Sequence, residues 1–361
     1  MGNIRNKIIT LSGEPASGKS TVVRKLKEKY EKMGYNVHVV STGNIFREII
    51  SREYYKMYPN RSGVSLADMQ SDVEFAKQRN EIDQMIDGEM EERGRRINSI
   101  PRKNDVYIID SRLAWKNIPD SFAIRLSVDE KVAGERTFLD KTRGEEDKYQ
   151  TLEEAIIKTR QRKMGEIERY KQRYGVDLTD PENYSLLVNT THSYTDELAD
   201  IIIQGEECHR TGKYFPKYWK SPALFFPTQS IRETISKSPL GGNALEDVVE
   251  SIKKYGYNYN EPLIAKEVNG ITALQDGHHR CIATVSAGKT LVPYEIMPKT
   301  NNQCTESTIC SEVKLSDIYD WEEMIRYEAK RANVEILKQF DVSKLNIMDK
   351  YVKWLKSANE R

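Results

Sequence analysis

GEPASGKST, residues 13–21, fits G-x-x-x-x-G-K-[ST], with Gly13, Gly18, Lys19 and Ser20 in the four fixed places. Small residues let successive backbone N–H groups turn inward around phosphate oxygens. A helix starting near Gly18 adds the positive end of its dipole. Gly13, Ser17, Gly18, Lys19, Ser20 and Thr21 would line such a cradle. Lys19 would reach the β and γ phosphates and Ser20 would offer its hydroxyl to Mg²⁺, so the spacing implies ATP with Mg²⁺. The motif counts only in its context, and the context is present. IITLS (8–12) reads as a short apolar strand entering the loop, and STVVRKLKEKYEKM reads as the amphipathic helix leaving it.

The same alternation continues outward. NVHVV (near 37–41), VYIID (106–110), FAIRLSV (122–128) and LLVNT (186–190) read as strands. Helix-prone segments separate them, notably residues 44–98 and LEEAIIKTRQRKMGEIERYKQRY. Apolar strands alternating with helices imply an α/β fold with a parallel sheet and helices on both faces.

Bulk composition narrows the class. The chain has 361 residues, 31% charged and 38% apolar, with a net charge of +1. That length suits two domains and a tail. The charge balance argues against a strongly basic nucleic-acid protein. The apolar run near the start is too short for a signal peptide or a membrane span, and MGNIRN has Asn6 where a myristoylation signal needs Ser or Thr. The expectation is a cytoplasmic protein with no membrane partner. Cys208, Cys281, Cys304 and Cys310 are too scattered for a disulfide framework or a zinc site.

Asp110 closes VYIID at the edge facing the loop. A carboxylate there holds Mg²⁺ through water or positions an acceptor; the plain alternative is a turn or cap residue. Arg136, Arg143, Arg160, Arg162, Arg169 and Arg173 crowd one region, and Arg162, Arg169 and Arg173 share a helix face. Phosphoryl transfer needs cations that close over spreading charge. A solvated helix with Glu166 and Glu168 as ion-pair partners would use the same residues.

Several segments carry a resemblance. STGNIFRE (41–48), IIDSRLAW (108–115), TRQRKMGEIERYKQRYGVD (159–177) and NYSLLVNTT (183–191) resemble, in order, the acceptor-site, arginine-turn, lid and late-strand segments of the cytidylate kinase family. The resemblance covers about the first 205 residues. It implies a kinase fold in which Thr42, Arg47 and Arg112 meet the acceptor. It also implies that Arg162, with Arg169 as a second candidate, reaches the transferring phosphate from a lid. Departures lie at Asn44, Ser111, Lys163 and Ser185, where the family carries Asp, Gly, Glu and Asp. They leave the core and open the acceptor's identity to a nucleoside monophosphate or a similar small molecule.

A second pattern follows residue 222. LEDVVESIKKYG reads as a helix ending at glycine, then PLIAKEVNGITALQDGHHRCIATVSAGKTLVPYEI as strand, turn, strand, glycine turn, helix, strand. Asp276, Gly277, His278, His279 and Arg280 would place positive side chains on the first turn of a helix, an anion site. This part resembles the ParB/sulfiredoxin superfamily through Pro227, Gln229, Pro262, the 276–280 box, Ala283, Gly288 and Val292–Pro293. The resemblance implies a small α+β domain whose box, chiefly His279 and Arg280, meets nucleotide phosphates, with Asp276 as a metal ligand or base. His278 stands where sulfiredoxin chemistry needs cysteine, which excludes that reaction. The expected organisation is a kinase domain at 1–205, a linker at 206–221, the ParB-like domain at 222–298 and a helical tail at 299–361. The expected activity is phosphotransfer from ATP to a small acceptor, with a second nucleotide step in the added domain. Two alternatives stand: a CMP/dCMP kinase with an accessory domain, and a nucleotide-sensing regulator that binds a partner or DNA. The basic, aromatic strip at 208–220 is the best support for the last of these.

Overall fold

The computed structural model describes residues 6–64, 66–99, 104–140, 149–228, 244–268 and 271–297. The expected tail at 299–361, Gln229, Arg143, Cys304 and Cys310 fall outside them, as does the side chain of Asn44. The chain divides into two compact units, Met1–Leu187 with Ala199–Lys213, and Val188–Leu198 with Tyr214–Arg361.

In the first unit, β1 (Lys7–Gly13) leads through the cradle into α1 (Lys19–Lys32). Then come β2 (Asn36–Ser41), α2 (Thr42–Met57), α3 (Leu66–Ser71), α4 (Val73–Ala76) and α5 (Arg79–Ser99). β3 (Asp105–Asp110), α6 (Ala114–Asn117), β4 (Phe122–Ser127), α7 (Glu130–Leu139), α8 (Leu152–Tyr174) and β5 (Leu186–Asn189) follow. α9 (Thr195–Thr211) lies mostly in this unit. The strand order is β2-β3-β1-β4-β5. β1 pairs in parallel with β3 and β4, and β2 with β3. The central strands are apolar because both faces are covered: Ile9, Leu11, Val106, Ile108, Ile124 and Leu126 are fully buried. This register puts the ends of β1 and β3 side by side, Leu11 opposite Asp110. A second core fills the space between α2 and α5, built on Ile45, Ile49, Tyr54, Phe75, Ile82, Ile86 and Met90.

The α7–α8 pair depends on Gly134. A Cβ there would overlap Ile156 Cγ1 and lie 2.8 Å from Ile156 Cα. The second atom is backbone, so the helices must separate. Gly134→Ala is expected to destabilise the unit by about 1–3 kcal/mol, read by denaturant unfolding. A second prediction concerns Glu206. It is buried on α9 with Arg210 Nε 3.4 Å away, and burial pushes its pKa up to about 7 against the Arg210 charge. Its folded pKa exceeds the usual 4.5, so the stability it contributes is complete below that pH and lost as pH rises through about 7. Glu206→Gln is expected to flatten this slope, seen by comparing urea unfolding at about pH 5 and about pH 8.

The second unit holds β6 (Tyr218–Lys220), β7 (Phe226–Pro227), α10 (Ala244–Tyr255), β8 (Leu263–Val268), β9 (Ile271–Asp276), α11 (His278–Ser286) and β10 (Val292–Ile296). The order is β6-β10-β8-β9-β7. β10 runs parallel to β8 and antiparallel to β6, and β8 and β9 are antiparallel. The strand–turn–strand–glycine–helix–strand reading is therefore met. The division between the two units, at Lys213–Tyr214, falls within 206–221, the stretch expected as a linker. α9 runs on to Thr211, and β6 is a strand with Trp219 and Lys220 buried. Tyr214 of the strip is exposed, while its later aromatics pack inside the unit. Phe215 stacks on Trp219 at 5.7 Å, and both meet Tyr259. The Lys220 amine lies over the rings of Phe225 and Tyr294 at 4.6 and 4.8 Å, and burial pushes its pKa down to about 7. Residues 211–214 are exposed, and burial resumes at Pro216.

Candidate functional site

The cradle is built by β1 stopping at Gly13 against β4. A Cβ on Gly13 would come within 2.8 Å of Leu126 O and 2.9 Å of Ser17 Oγ, so the loop lies flat only with glycine there. Glu14 N donates to Leu126 O at 2.9 Å and Ser17 N to Glu14 O at 3.2 Å. Gly18 ends the loop at φ 84°, a left-handed value that glycine adopts without strain, and α1 begins at Lys19. The Lys19 amine folds back over the loop, donating to Gly13 O at 3.0 Å and Glu14 O at 3.5 Å. Burial and then the Arg112 charge push its pKa down to about 7, against the carboxylates of Asp110 and Glu166. Ser20 and Thr21 are exposed on the first turn of α1, and Asp110 is half-buried at the end of β3. Among the described residues no group of three or more His, Cys, Asp or Glu side chains is arranged to hold a metal. The Ser20 hydroxyl and Asp110 carboxylate nonetheless fit Mg²⁺, a hard cation that keeps much of its water and shares oxygen ligands with phosphates.

Charged side chains gather beside the cradle from separate elements. Arg112, in the turn after β3, donates through Nε and Nη2 to Glu166 Oε2 at 3.0 and 2.8 Å. Arg162 Nε lies 3.5 Å from Glu166 Oε1, one turn away on α8. Glu14, buried in the cradle itself, accepts from Arg125 of β4 at 3.0 Å and pairs with Lys163 of α8 at 3.1 Å. Arg136 of α7 donates to Ala16 O at 3.2 Å, and burial lowers its pKa. A cavity of about 20 Å³ opens among Gly13, Glu14, Arg112, Arg125, Lys163 and Glu166.

Lys19, Asp110, Arg112 and Arg162 thus share one electrostatic neighbourhood. Thr42 and Arg47 lie on α2; the Thr42 hydroxyl donates to Met90 Sδ at 3.8 Å. Arg169 is exposed two turns beyond Arg162, its guanidinium 5.5 Å from the centre of the Tyr170 ring. Glu14 and Arg125 were not foreseen. A signal for Glu14 exists: an acid inside a small-residue loop, matched by Lys163 replacing an acid in the lid segment. Arg125 carries none, because its tie to Glu14 spans 111 residues.

In the second unit, Asp276 ends β9 and Gly277 leads into α11. His278 is a core residue rather than an outward one. It is buried, and its Nε2 accepts from Thr228 N at 3.2 Å. Arg280 Nη2 donates to Asp276 Oδ2 at 2.7 Å, and Nη1 donates to Glu261 O and to Pro262 O, the latter at 3.2 Å. His279 Nε2 is buried without a hydrogen-bond partner. Cys281 is buried, its pKa pushed up to about 12, as suits a packing residue.

A family model described as an AAA domain matches residues 12–155. The cytidylate kinase of Sulfolobus acidocaldarius is 30% identical over 199 residues, 54% of this chain and 91% of that one. Through this N-terminal part, the chain belongs to the cytidylate kinase family. The Methanocella arvoryzae cytidylate kinase is 28% identical over 197 residues, 55% of this chain and 95% of that one. An S-adenosylmethionine-dependent nucleotide dehydratase of Lacinutrix mariniflava is 30% identical over 196 residues. This chain spans about a third of that protein's length, 35%, with 54% of its own. Among solved structures, the shikimate kinase of Bacteroides thetaiotaomicron aligns at 14% identity and a TM-score of 0.29, over 57% of this chain and 95% of that one. The cytidylate kinase-related part is a kinase-like, nucleotide-binding P-loop domain with a parallel-dominated sheet. These matches cover little more than half of the chain and do not extend to a ParB-like domain. Among the described residues no helix is long and apolar enough to cross a membrane.

Proposed function

We propose that the first unit transfers the γ-phosphate of ATP to a nucleoside monophosphate or a similar small phosphorylated acceptor. The observation that carries this reading is the convergence of Lys19, Arg112 and Arg162 on one anionic group, Glu166, beside the cradle. A reaction that spreads negative charge over phosphoryl oxygens is served by cations fixed in place beforehand. In this proposal the cradle's backbone N–H groups and Lys19 hold the donor's phosphates, Arg112 grips the acceptor's phosphate with its planar fork, and Arg162 reaches in from α8. Asp110 orients the acceptor or shares Mg²⁺ with Ser20. Ser20 and Asp110 would hold the ion, which would supply neutralising charge to the donor's phosphates. Lys163 and Arg125 hold Glu14, which keeps α8 close to the loop and water out. Thr42 and Arg47 contact the acceptor from α2, and Arg169 is a lesser lid candidate.

For the second unit we propose, on the resemblance of its 276–280 box, a nucleotide or phosphate site at His279 and Arg280. The accessory-domain alternative is favoured by a specific observation: Arg280 is already committed to Asp276 and two backbone carbonyls. An acceptor screen with ATP and Mg²⁺ tests both. ADP release is followed against CMP, dCMP, UMP and free serine, in wild type, Lys19→Ala and Arg280→Ala. Turnover of a monophosphate, lost in Lys19→Ala and kept in Arg280→Ala, supports the kinase with an accessory unit. A reaction that requires Arg280 assigns chemistry to the second unit, and no acceptor-dependent ADP release sinks the phosphotransferase reading.

A further inference from the structure

Glu166 occupies Arg112 in the way an anionic ligand would. One carboxylate oxygen takes both Nε and Nη2, while the other faces Arg162. The pair is well shielded, with side chains 17% and 14% exposed for Arg112 and Glu166. Burial alone would push the Glu166 pKa up, but Arg112, then Arg162 and Lys19, hold it net below the ordinary carboxylate range, so the group is charged. The same stretch of α8 is tied to the cradle through Lys163 and Glu14. The helix is therefore held against the phosphate-binding elements by carboxylates on both sides of the cluster.

A guanidinium fork matches a carboxylate and a phosphate with the same geometry. We propose that Glu166 is an internal placeholder for the acceptor's phosphate and a determinant of acceptor specificity: it fills the Arg112 fork and must be displaced when an acceptor binds. This rests on the phosphotransferase reading of the unit. A monoanionic acceptor would exchange one carboxylate for another with little advantage. A phosphate monoester brings a second charge and more oxygens to the same guanidinium, so it displaces Glu166 where a hydroxyl or carboxylate compound does not. Discrimination then comes from the group that has to leave as well as from the bonds the phosphate forms.

The test reads Arg112 directly in the full chain. Phenylglyoxal modifies accessible arginines, and peptide mass spectrometry reports the rate at Arg112. Inorganic phosphate serves as the protecting anion. Glu166→Gln keeps the size and removes the charge, so Arg112 is expected to react faster in the absence of phosphate. Half-protection is expected at roughly tenfold lower phosphate than in wild type, the effect of freeing a charge-assisted hydrogen-bonding group. Glu166→Asp, which shortens the arm, is expected to shift both readouts in the same direction and serves if the glutamine variant does not fold. Equal rates and equal phosphate dependence in variant and wild type overturn the placeholder. CMP-dependent ADP release by the wild type is measured separately. Unchanged protection with normal turnover sinks the placeholder alone. Tightened protection with no turnover of any monophosphate leaves the placeholder standing and sinks the kinase reading beneath it.

Discussion

Lys19→Ala is expected to slow phosphoryl transfer by about 10²–10³-fold, the usual effect of removing one preorganised donor from a developing anion. The fold has no comparable need of this side chain. Its amine contacts loop carbonyls rather than a buried acid, and burial disfavours its charge. A second readout follows from its pKa of about 7. At a pH near 8 most of the amine is neutral, and bound polyphosphate favours the charged form, so nucleotide binding should take up nearly one proton per site. Below a pH of about 6 the amine is already protonated and uptake should vanish. Calorimetry in buffers of different ionisation enthalpy measures this. Lys19→Ala should bind weakly and with no such uptake.

Arg112→Met is the next largest expected effect. It removes the fork proposed for the acceptor and strips Glu166 of its two shortest contacts, leaving that half-buried charge to Arg162 at 3.5 Å. Removing the charged partner of a bound phosphate costs about 2–5 kcal/mol, so kcat/KM for the acceptor should fall by about 30- to 5,000-fold. The KM for ATP should change much less, because the cradle is made of β1 and α1. Arg112→Lys should restore little, since a single ammonium lacks the two-pronged geometry. An equal loss toward ATP and acceptor would assign Arg112 to packing.

The parts of this site legible from sequence are those written in local spacing. The glycines and Lys19 sit in one nine-residue run, and α8 spans the segment its helical pattern marked, Leu152–Tyr174. Arg112 and Arg162 came through motif resemblance, and the structure brings both to Glu166. Ties between distant positions were not legible. Glu14 meets Lys163 and Arg125 only because β1, β4 and α8 converge, and no periodicity in any one segment encodes that. The burial of the last residues of the 206–221 stretch has a similar cause. Trp219 and Lys220 are buried by strands far along the chain, so their burial leaves no mark on the surrounding composition. His278 looked like a ligand from its place on a helix start, yet the opening residue of α11 turns back onto Thr228.

The most direct test of the central claim is to follow the γ-label of ATP with wild-type protein, Mg²⁺ and CMP, separating the nucleotides from free phosphate. Label is expected in CDP or, for another monophosphate in the panel, in the corresponding diphosphate, and is expected to be lost in Lys19→Ala. Label released only as inorganic phosphate, at a rate indifferent to any acceptor, would contradict it and mark the domain as an ATP-driven switch.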